Sequence, residues 1–336
     1  MTNPQIRQTR RMHYDLRLRP AQSSTPAADA FVIHRAEVRD GLSLAYVREG
    51  IGGYPLLLVH GYPETKRIWW RNIEPLVAAG YEVIVPDLRG FGDSDLSIKD
   101  EYDIVAYSRD LYALVHDVCG HAHVGVVGGD VGGAVLVDFV NRYPGYADKL
   151  VFFNTVPPML IEEYVAAGID LANIRAINNG PTSDYRYLQG ATPDALAAEL
   201  DTEAKRRRYI GGMYGHRLWG SPGGFTDTDV DFMTEPFADE AHLRASWAVY
   251  QLAHGRPMSE PPLMGRAVEL PTLILYGPDD QVVGPDFVHC CEIAFRDRTG
   301  PVVIPGAGHF LQWERADVFN ALVAAYFGDV RERWIR

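Results

Sequence analysis

The sequence predicts an α/β protein with a mostly parallel central sheet flanked by helices and a helical segment inserted into it. Toward both ends of the chain, short apolar runs bounded by glycine or proline alternate with amphipathic stretches. Runs that are apolar throughout are typical of strands covered on both faces, and their alternation with helices is typical of parallel βαβ units. The middle of the chain, residues 158–264, shows no comparable strand pattern and has alanine-rich helical stretches joined by glycine- and proline-rich connections. We expect this segment to form a helical cap, or lid.

Length and composition are those of an ordinary globular protein. The chain has 336 residues, of which 47% are hydrophobic and 23% charged, and this balance excludes a disordered or fibrous protein. A formal net charge of −12 argues against nucleic acid as a partner. The longest apolar run, 124–140, is interrupted by Asp130 and by several glycines, so no membrane span is expected. Three cysteines are too few for a disulfide framework, and we expect a cytoplasmic location.

The first elements are an N-terminal arm and a β-hairpin. The arm, residues 1–30, ends in a polar stretch of small residues. Two interpretations of it remain open, a strap across a partner subunit in a homodimer and an unstructured tail. Two runs then flank the pair Asp40-Gly41, residues 31–38 and 42–48. Such a pair between two strand-like runs predicts a hairpin.

The strand and helix pattern that follows divides the chain into a core in two parts and the cap between them. The first part, 31–157, has four further apolar runs, at 55–59, 82–86, 123–127 and 149–153, with helices expected at 107–118 and 132–143. The cap, 158–264, has helical stretches at 193–209 and 238–252. The second part, 265–336, has strands expected at 272–276 and 300–304 and a helix at 316–327. We expect the two outer parts to form one sheet.

The strongest local signal is the sequence Gly128-Gly-Asp-Val-Gly-Gly133, which follows a predicted strand and precedes a predicted helix. Small residues on both sides of a central residue are what a sharp strand-to-helix turn requires, because the flanking backbones approach closely. The central residue, Asp130, would then be strained and exposed at the carboxyl edge of the sheet. A dinucleotide-binding fingerprint would need glycine at this position and is excluded. The remaining alternative is that Asp130 only caps the following helix.

Four further motifs accompany this turn. They are His60-Gly-Tyr-Pro63, Asp87-Leu-Arg-Gly-Phe-Gly-Asp-Ser94, Gly277-Pro-Asp-Asp280 and Gly306-Ala-Gly-His-Phe310. With these motifs the sequence resembles the α/β-hydrolase superfamily and, within it, the epoxide hydrolases that use an aspartate nucleophile. The resemblance covers residues 40–160 and 265–325, and the cap lies where that family inserts its own. It implies the α/β-hydrolase fold with a helical cap domain.

The resemblance also implies a catalytic triad. The family's chain order of nucleophile, acid and histidine assigns Asp130 as the nucleophile, Asp280 as the orienting acid and His309 as the general base. Asp279 competes for the acid role, but the family spacing from Gly277 favours Asp280.

An oxyanion hole is implied by two further positions. The turn supplies the backbone N–H of Val131. The family's second donor is the N–H of Tyr62, in the motif that also contains His60, Gly61 and Pro63.

Aspartate as the nucleophile determines the chemistry that we expect. A carboxylate is ionised at neutral pH, so it can displace a leaving group at saturated carbon and form an ester on Asp130. His309, held by Asp280, would then draw a proton from the water that hydrolyses this ester. An opening epoxide develops alkoxide character and needs an acid, and tyrosine is still protonated at pH 7.

The resemblance implies that two cap tyrosines supply this acid. We expect Tyr187 and Tyr250, with Tyr185 as the rival of Tyr187. Haloalkane dehalogenases carry a tryptophan directly after the nucleophile, where this chain has Val131.

The sequence therefore predicts an epoxide hydrolase that acts on a small apolar epoxide without cofactor or metal. His121 and His123 could form a metal pair, but no third ligand lies at a useful spacing, and a metal site is not expected. Two alternatives remain, a haloalkane-type dehalogenase with the same triad and a non-catalytic scaffold that binds a small ligand.

Overall fold

An eight-stranded sheet forms the centre of the computed structural model, which describes residues 24–169, 185–215 and 219–334. The strands are β1 (His34–Arg39), β2 (Leu42–Glu49), β3 (Tyr54–Val59), β4 (Tyr81–Pro86), β5 (Val124–Gly129), β6 (Ala147–Phe153), β7 (Thr272–Tyr276) and β8 (Arg298–Val303). Their order in the sheet is β1-β2-β4-β3-β5-β6-β7-β8. β2 pairs antiparallel with both of its neighbours, and all other pairs are parallel. The predicted mostly parallel sheet is confirmed.

Four strands in the middle of the sheet are buried along their whole length. Every residue of β3, β4, β5 and β7 is buried, because helices cover both faces of the sheet. The predicted hairpin is also confirmed. Asp40 and Gly41 both adopt a left-handed backbone, with φ of 55° and 74°, as the tight turn between two twisted antiparallel strands requires.

Helices surround this sheet, and the described part of the segment between β6 and β7 is helical. The helices before β6 are α1 (Trp70–Ala78), α2 (Ile104–Tyr112) and α3 (Asp130–Arg142). Between β6 and β7 lie α4 (Ile161–Ala166), α5 (Tyr185–Ala191), α6 (Pro193–Glu199), α7 (Glu203–Gly215), α8 (Asp227–Thr234), α9 (Glu240–Ser246) and α10 (Ala248–Gln251). The last helices are α11 (Asp286–Ala294), α12 (Leu311–Glu314), α13 (Ala316–Tyr326) and α14 (Gly328–Trp334). No helix in the described ranges has the length and apolarity needed to cross a bilayer.

Three predicted helices differ from the observed ones, and in two of them an aspartate side chain that accepts a backbone hydrogen bond sets the observed start. The helix expected at 107–118 begins three residues earlier, where Asp103 accepts from the N–H of Ala106 at 2.8 Å, and its second half, Ala113–Val118, is a π-helix. The helix expected at 193–209 is broken into α6 and α7. The helix expected at 238–252 is divided into α9, α10 and a short 3-10 turn, and Asp239 caps its start.

The described end of the N-terminal arm packs on its own chain. The hydroxyl of Thr25 donates to Asp229 Oδ1 in α8 at 2.7 Å, and Trp70 Nε1 donates to the backbone oxygen of Ala27 at 3.2 Å. The ring of Phe31 meets that of Trp70 edge-on, with 5.3 Å between centroids. This stretch therefore joins α1 of the core to α8 within one chain. Residues 1–23, the rest of the predicted arm, lie outside the described residues.

The packing of α3 against the end of β3 leads to a prediction on stability. A Cβ added to Gly132 would lie 2.5 Å from the oxygen of Val59 and 2.6 Å from that of His60, which are backbone atoms. We expect Gly132→Ala to lower the free energy of unfolding by about 2 kcal/mol through overpacking. The matched control is Gly212→Ala in α7, where a new Cβ meets open space; there a gain of about 0.5–1 kcal/mol is expected. Urea unfolding of both variants measures this difference, and equal stabilities would contradict it.

Candidate active site

The sharp turn between β5 and α3 presents Asp130 to the site. Asp130 has a φ of 45°, in the left-handed region, and its N–H donates to the backbone oxygen of Asn154 at 3.1 Å. The turn is tightly enclosed, since a Cβ added to Gly61 would lie 2.5 Å from both Cβ and Oδ1 of Asp130. Gly61 therefore lets the backbone of its loop approach the side chain of Asp130.

The structure brings Asp130, Asp280 and His309 together. His309 Nδ1 lies 2.9 Å from Asp280 Oδ2, and His309 Nε2 lies 3.2 Å from Asp130 Oδ2. The other oxygen of Asp280 accepts from the N–H groups of Val282 at 2.7 Å and Val283 at 3.0 Å. These bonds fix the carboxylate that orients the imidazole. The side chains of His309 and Asp280 have no exposed surface, whereas that of Asp130 is 14% exposed.

Asp279, the rival of Asp280 for the role of the acid, is bonded to a different residue. Asp279 Oδ2 accepts from the hydroxyl of Ser221 at 2.8 Å. Asp280, and not Asp279, is therefore the carboxylate beside His309.

Two carboxylates raise the pKa of His309. Burial alone would lower the pKa of His309, but the negative charges and hydrogen bonds of Asp280 and Asp130 outweigh burial and raise this pKa well above its usual value. Burial raises the pKa of Asp280, and the bonds from His309 and the two backbone amides oppose that rise. Because His309 faces two carboxylates, we assign the proton that it shares with Asp280 to the imidazole.

One of the two expected oxyanion donors forms a hydrogen bond to the carboxylate. The N–H of Tyr62 donates to Asp130 Oδ1 at 2.6 Å. Val131 lies in the first turn of α3, where amide groups have no acceptor within the helix. His60 joins this loop to the next motif, because its Nε2 accepts from the N–H of Leu88 at 3.0 Å.

The structure places Tyr185, and not Tyr187, beside Tyr250. The ring centroids of Tyr185 and Tyr250 are 5.4 Å apart, their side chains are hydrogen-bonded, and Tyr185 also stacks on Tyr62 at 6.3 Å. Tyr187 is 37% exposed and its ring meets that of His254. Residues two apart on a helix point to different faces, so only one of these two tyrosines of α5 can reach Tyr250. Of the two rivals in α5, Tyr185 is therefore the one that the structure brings together with Tyr250, and Tyr187 lies apart from them.

Tyr250 lies near enough to Asp130 for the charge of its carboxylate to act on the phenol. Burial raises the pKa of Tyr250 well above its usual value, and the charge of nearby Asp130 raises it further. The phenol of Tyr250 is therefore suited to hold its proton at neutral pH. Aromatic rings also enclose the histidine, since Trp219 lies 5.1 Å from the ring of His309 and 4.9 Å from that of Tyr185.

Sequence reasoning missed two buried carboxyl groups beside the triad. Glu64 Oε2 accepts from the N–H of Gly61 at 2.7 Å, and its Oε1 accepts from Gln312 Nε2 at 2.8 Å. Glu314 accepts from three backbone amides, those of Ser221, Gly308 and Phe310, at 2.6, 3.0 and 3.0 Å. Two of these amides flank His309. The only sequence signal is their position, directly after the first motif and shortly after the last one.

These two carboxyl groups lead to a prediction for stability against pH. Burial raises the pKa of both Glu64 and Glu314 from 4.5 to about 7. Between those values the folded protein keeps protons that the unfolded chain has released. The free energy of unfolding should therefore fall as pH rises from about 5 to 7, by roughly 1 kcal/mol per pH unit for each group. The raised pKa of His309 acts in the same direction, because its stabilisation is lost as pH rises through the folded value.

Urea unfolding at about pH 5, 6 and 7 measures this slope. Glu64→Gln removes one of the two titrating carboxyl groups and should reduce the slope by about half. Stability that rises over this interval would contradict the expected direction.

No three histidine, cysteine, aspartate or glutamate side chains within the described ranges converge in a way that could hold a metal ion. His121 pairs with Glu82 at 2.8 Å, and His123 pairs with Asp148 at 3.5 Å. The three cysteines are free.

Comparison with known proteins identifies the family. The sequence model of the α/β hydrolase fold matches residues 54–316. The chain is 34% identical over 204 residues to a soluble epoxide hydrolase of Corynebacterium sp. (strain C12), a match that covers 59% of this chain and 65% of that protein. It is 25% identical over 298 residues to epoxide hydrolase 4 of Mus musculus, which covers 87% of this chain and 78% of that one. The ligand-free structure of the epoxide hydrolase CorEH superposes with a TM-score of 0.73 at 20% identity, over 89% of this chain and 99% of that one. The chain therefore belongs to the α/β-hydrolase family.

Proposed function

We propose that this protein is an epoxide hydrolase, which adds water to an epoxide and releases a vicinal diol through an ester on Asp130. The observation that carries the proposal is the pairing of a carboxylate nucleophile with two tyrosines. Asp130 is held by a backbone amide on one oxygen and by His309 on the other, and the hydrogen-bonded pair Tyr185 and Tyr250 lies beside it. The names of the similar proteins support the same activity.

In the first step Asp130 opens the ring. Oδ1 is bonded to the N–H of Tyr62, so Oδ2 is the oxygen that forms the new bond to an epoxide carbon. The carbon–oxygen bond of the ring breaks, and its electron pair stays on the epoxide oxygen. This oxygen takes a proton from Tyr250 or Tyr185, whose hydroxyls meet in the structure. The product is an alkyl ester of Asp130 with a free hydroxyl on the neighbouring carbon.

The ester changes the protonation of His309. Once Asp130 is esterified, one of the two negative charges that hold the imidazolium proton is gone, so the pKa of His309 falls. The imidazolium of His309 then gives its proton to the tyrosinate that the first step left. His309 is then neutral and can act as a base.

In the second step water attacks the ester. His309 takes a proton from the water, and the resulting hydroxide bonds to Cγ of Asp130. The N–H of Tyr62 and, in our proposal, that of Val131 stabilise the oxyanion. The bond from Cγ to the alkyl oxygen then breaks, and that oxygen takes the proton of the new carboxyl group. The diol leaves, and the imidazolium between two carboxylates is restored.

The lining of the site supports an apolar substrate. The rings of Tyr62, Tyr185, Trp219 and Tyr250 contact one another, and that of Trp219 also contacts the imidazole of His309. Aromatic walls of this kind suit a small apolar molecule with one polar end. A halide leaving group would need N–H donors and no acid, so the tyrosine pair favours the epoxide over the dehalogenase alternative.

A product assay on the purified protein tests the reaction class. An aryl epoxide and a chloroalkane are supplied in parallel, and diol and chloride are both measured. We expect diol from the wild-type protein and none above background from Asp130→Ala. Chloride without diol would overturn the proposal in favour of a dehalogenase. Thermal stabilisation by an epoxide with neither product would favour the binding scaffold.

A further inference from the structure

Asn154, the first residue after β6, connects to the turn that carries the nucleophile. Its side chain is fully buried, and its φ of 41° lies in the left-handed region, which asparagine tolerates better than most residues. This backbone places its oxygen 3.1 Å from the N of Asp130, whose N–H donates to it. The next residue, Thr155, donates from its hydroxyl to the backbone oxygen of Asp130.

The side chain of Asn154 connects to the loops of the other two triad members. Its Nδ2 donates to the backbone oxygens of Gly308 at 2.7 Å and His309 at 3.1 Å. Its Oδ1 accepts from the N–H of Gly277 at 3.0 Å, and the oxygen of Gly277 accepts in turn from the N–H of Asp280. The amide has two donors and one acceptor group, and each has a partner here. These partners also fix which end of the amide is nitrogen.

The order of the strands explains why this position can reach all three loops. β6 lies between β5, which leads into the nucleophile turn, and β7, which leads into the acid loop. β8, which leads into the histidine loop, is the next strand beyond β7. The end of β6 is therefore close to the middle of the edge where the triad is assembled, and a short amide side chain spans the remaining gaps.

We propose that Asn154 is a positioning residue that sets the separations of Asp130, Asp280 and His309. The hydrogen bonds described above join it to backbone atoms of the three loops, so it acts through their backbone. Its effect on rate rests on the proposed function, because the rate depends on the distance between the imidazole and the ester. A misplacement of about 1 Å can lower a rate by about 10²-fold.

The test removes the amide and keeps the backbone. Asn154→Gly retains a residue that adopts the left-handed conformation and keeps the backbone oxygen for Asp130. We expect kcat for diol formation to fall about 10²-fold, with KM changed less than about threefold. We also expect the far-downfield proton resonance of the bond between His309 Nδ1 and Asp280 to shift or disappear. Asn72→Ala is the matched control, because Asn72 is also fully buried and donates two side-chain hydrogen bonds, at 3.0 and 2.7 Å.

Each outcome decides the proposal. If Asn154→Gly keeps the resonance and a kcat within about twofold of wild type per folded molecule, the positioning role is overturned. It is equally overturned if Asn72→Ala changes both to the same extent, because general destabilisation would then explain the effect. If Asn154→Gly does not fold, Asn154→Asp decides, since it keeps the shape and the acceptor for Gly277 and loses both donors. The resonance is measured without substrate, so a wild-type protein that forms no diol refutes the proposed function and leaves this test valid.

Discussion

Replacing His309 with glutamine is expected to trap the ester on Asp130. The carboxylate can still attack the epoxide, but the water has no base, and general base catalysis contributes about 10²–10⁴-fold to such a step. Glutamine can still donate an N–H to Asp280 Oδ2, so this buried carboxylate keeps a hydrogen bond in place of the one from His309. Incubation of His309→Gln with a reactive epoxide should therefore raise its intact mass by one epoxide, and peptide mapping should place the addition on Asp130.

The matched control for this trap is the double variant Asp130→Ala, His309→Gln. It should gain no mass, because the nucleophile is absent. Alkylation of thiols contributes little background, since burial raises the pKa of Cys119 to about 11 and Cys290 and Cys291 are buried. If His309→Gln forms no adduct and the wild-type protein still produces diol, water attacks the epoxide directly and the covalent scheme is wrong.

Removing one hydroxyl from the tyrosine pair is expected to slow ring opening. In Tyr185→Phe and in Tyr250→Phe the developing alkoxide loses one of its two donors, and we expect the rate of ester formation to fall about 10²-fold in each. Tyr187→Phe is the matched control, because it removes the same hydroxyl from a different face of α5. Its rate should stay within about twofold of that of His309→Gln alone. The measurement is made in the His309→Gln background, where the mass gain reports ester formation alone.

This set of variants separates the two assignments of the cap tyrosines. A slow Tyr187→Phe together with a normal Tyr185→Phe would contradict the placement of α5 described above. Unchanged rates in all three would mean that another group or a water molecule protonates the opening ring.

The sequence was sufficient to predict the strands and the turns whose structure depends on a few neighbouring residues. β3 and β5 carry no charged residue because both of their faces are buried, and Asp40-Gly41 has the composition that a tight hairpin turn needs. The sharp turn at Asp130 followed in the same way from the glycines around it, whereas His309 was assigned through the resemblance to the family.

Features that depend on helix phase or on distant contacts could not be predicted. The choice between Tyr185 and Tyr187 depends on the rotation of α5, which is fixed by its packing against Tyr62 and Tyr250. The break between α6 and α7 and the short helices α9 and α10 also depend on local caps that the apolar pattern does not show. Asn154 and Glu314 have no motif of their own, because their role comes from amides and carbonyls that lie far away in the sequence.

The aromatic lining of the site affects which molecules can enter and leave it. Moving an ion through a region of low polarity is costly, whereas a neutral molecule of similar size passes easily. An epoxide, water and a diol are all uncharged, so a full cycle of the proposed reaction carries no ion past the rings of Trp219 and Tyr185. A dehalogenase would have to export one anion in each cycle through the same walls. The enclosure that protects the triad from solvent thus favours a reaction whose reactants and products are all neutral.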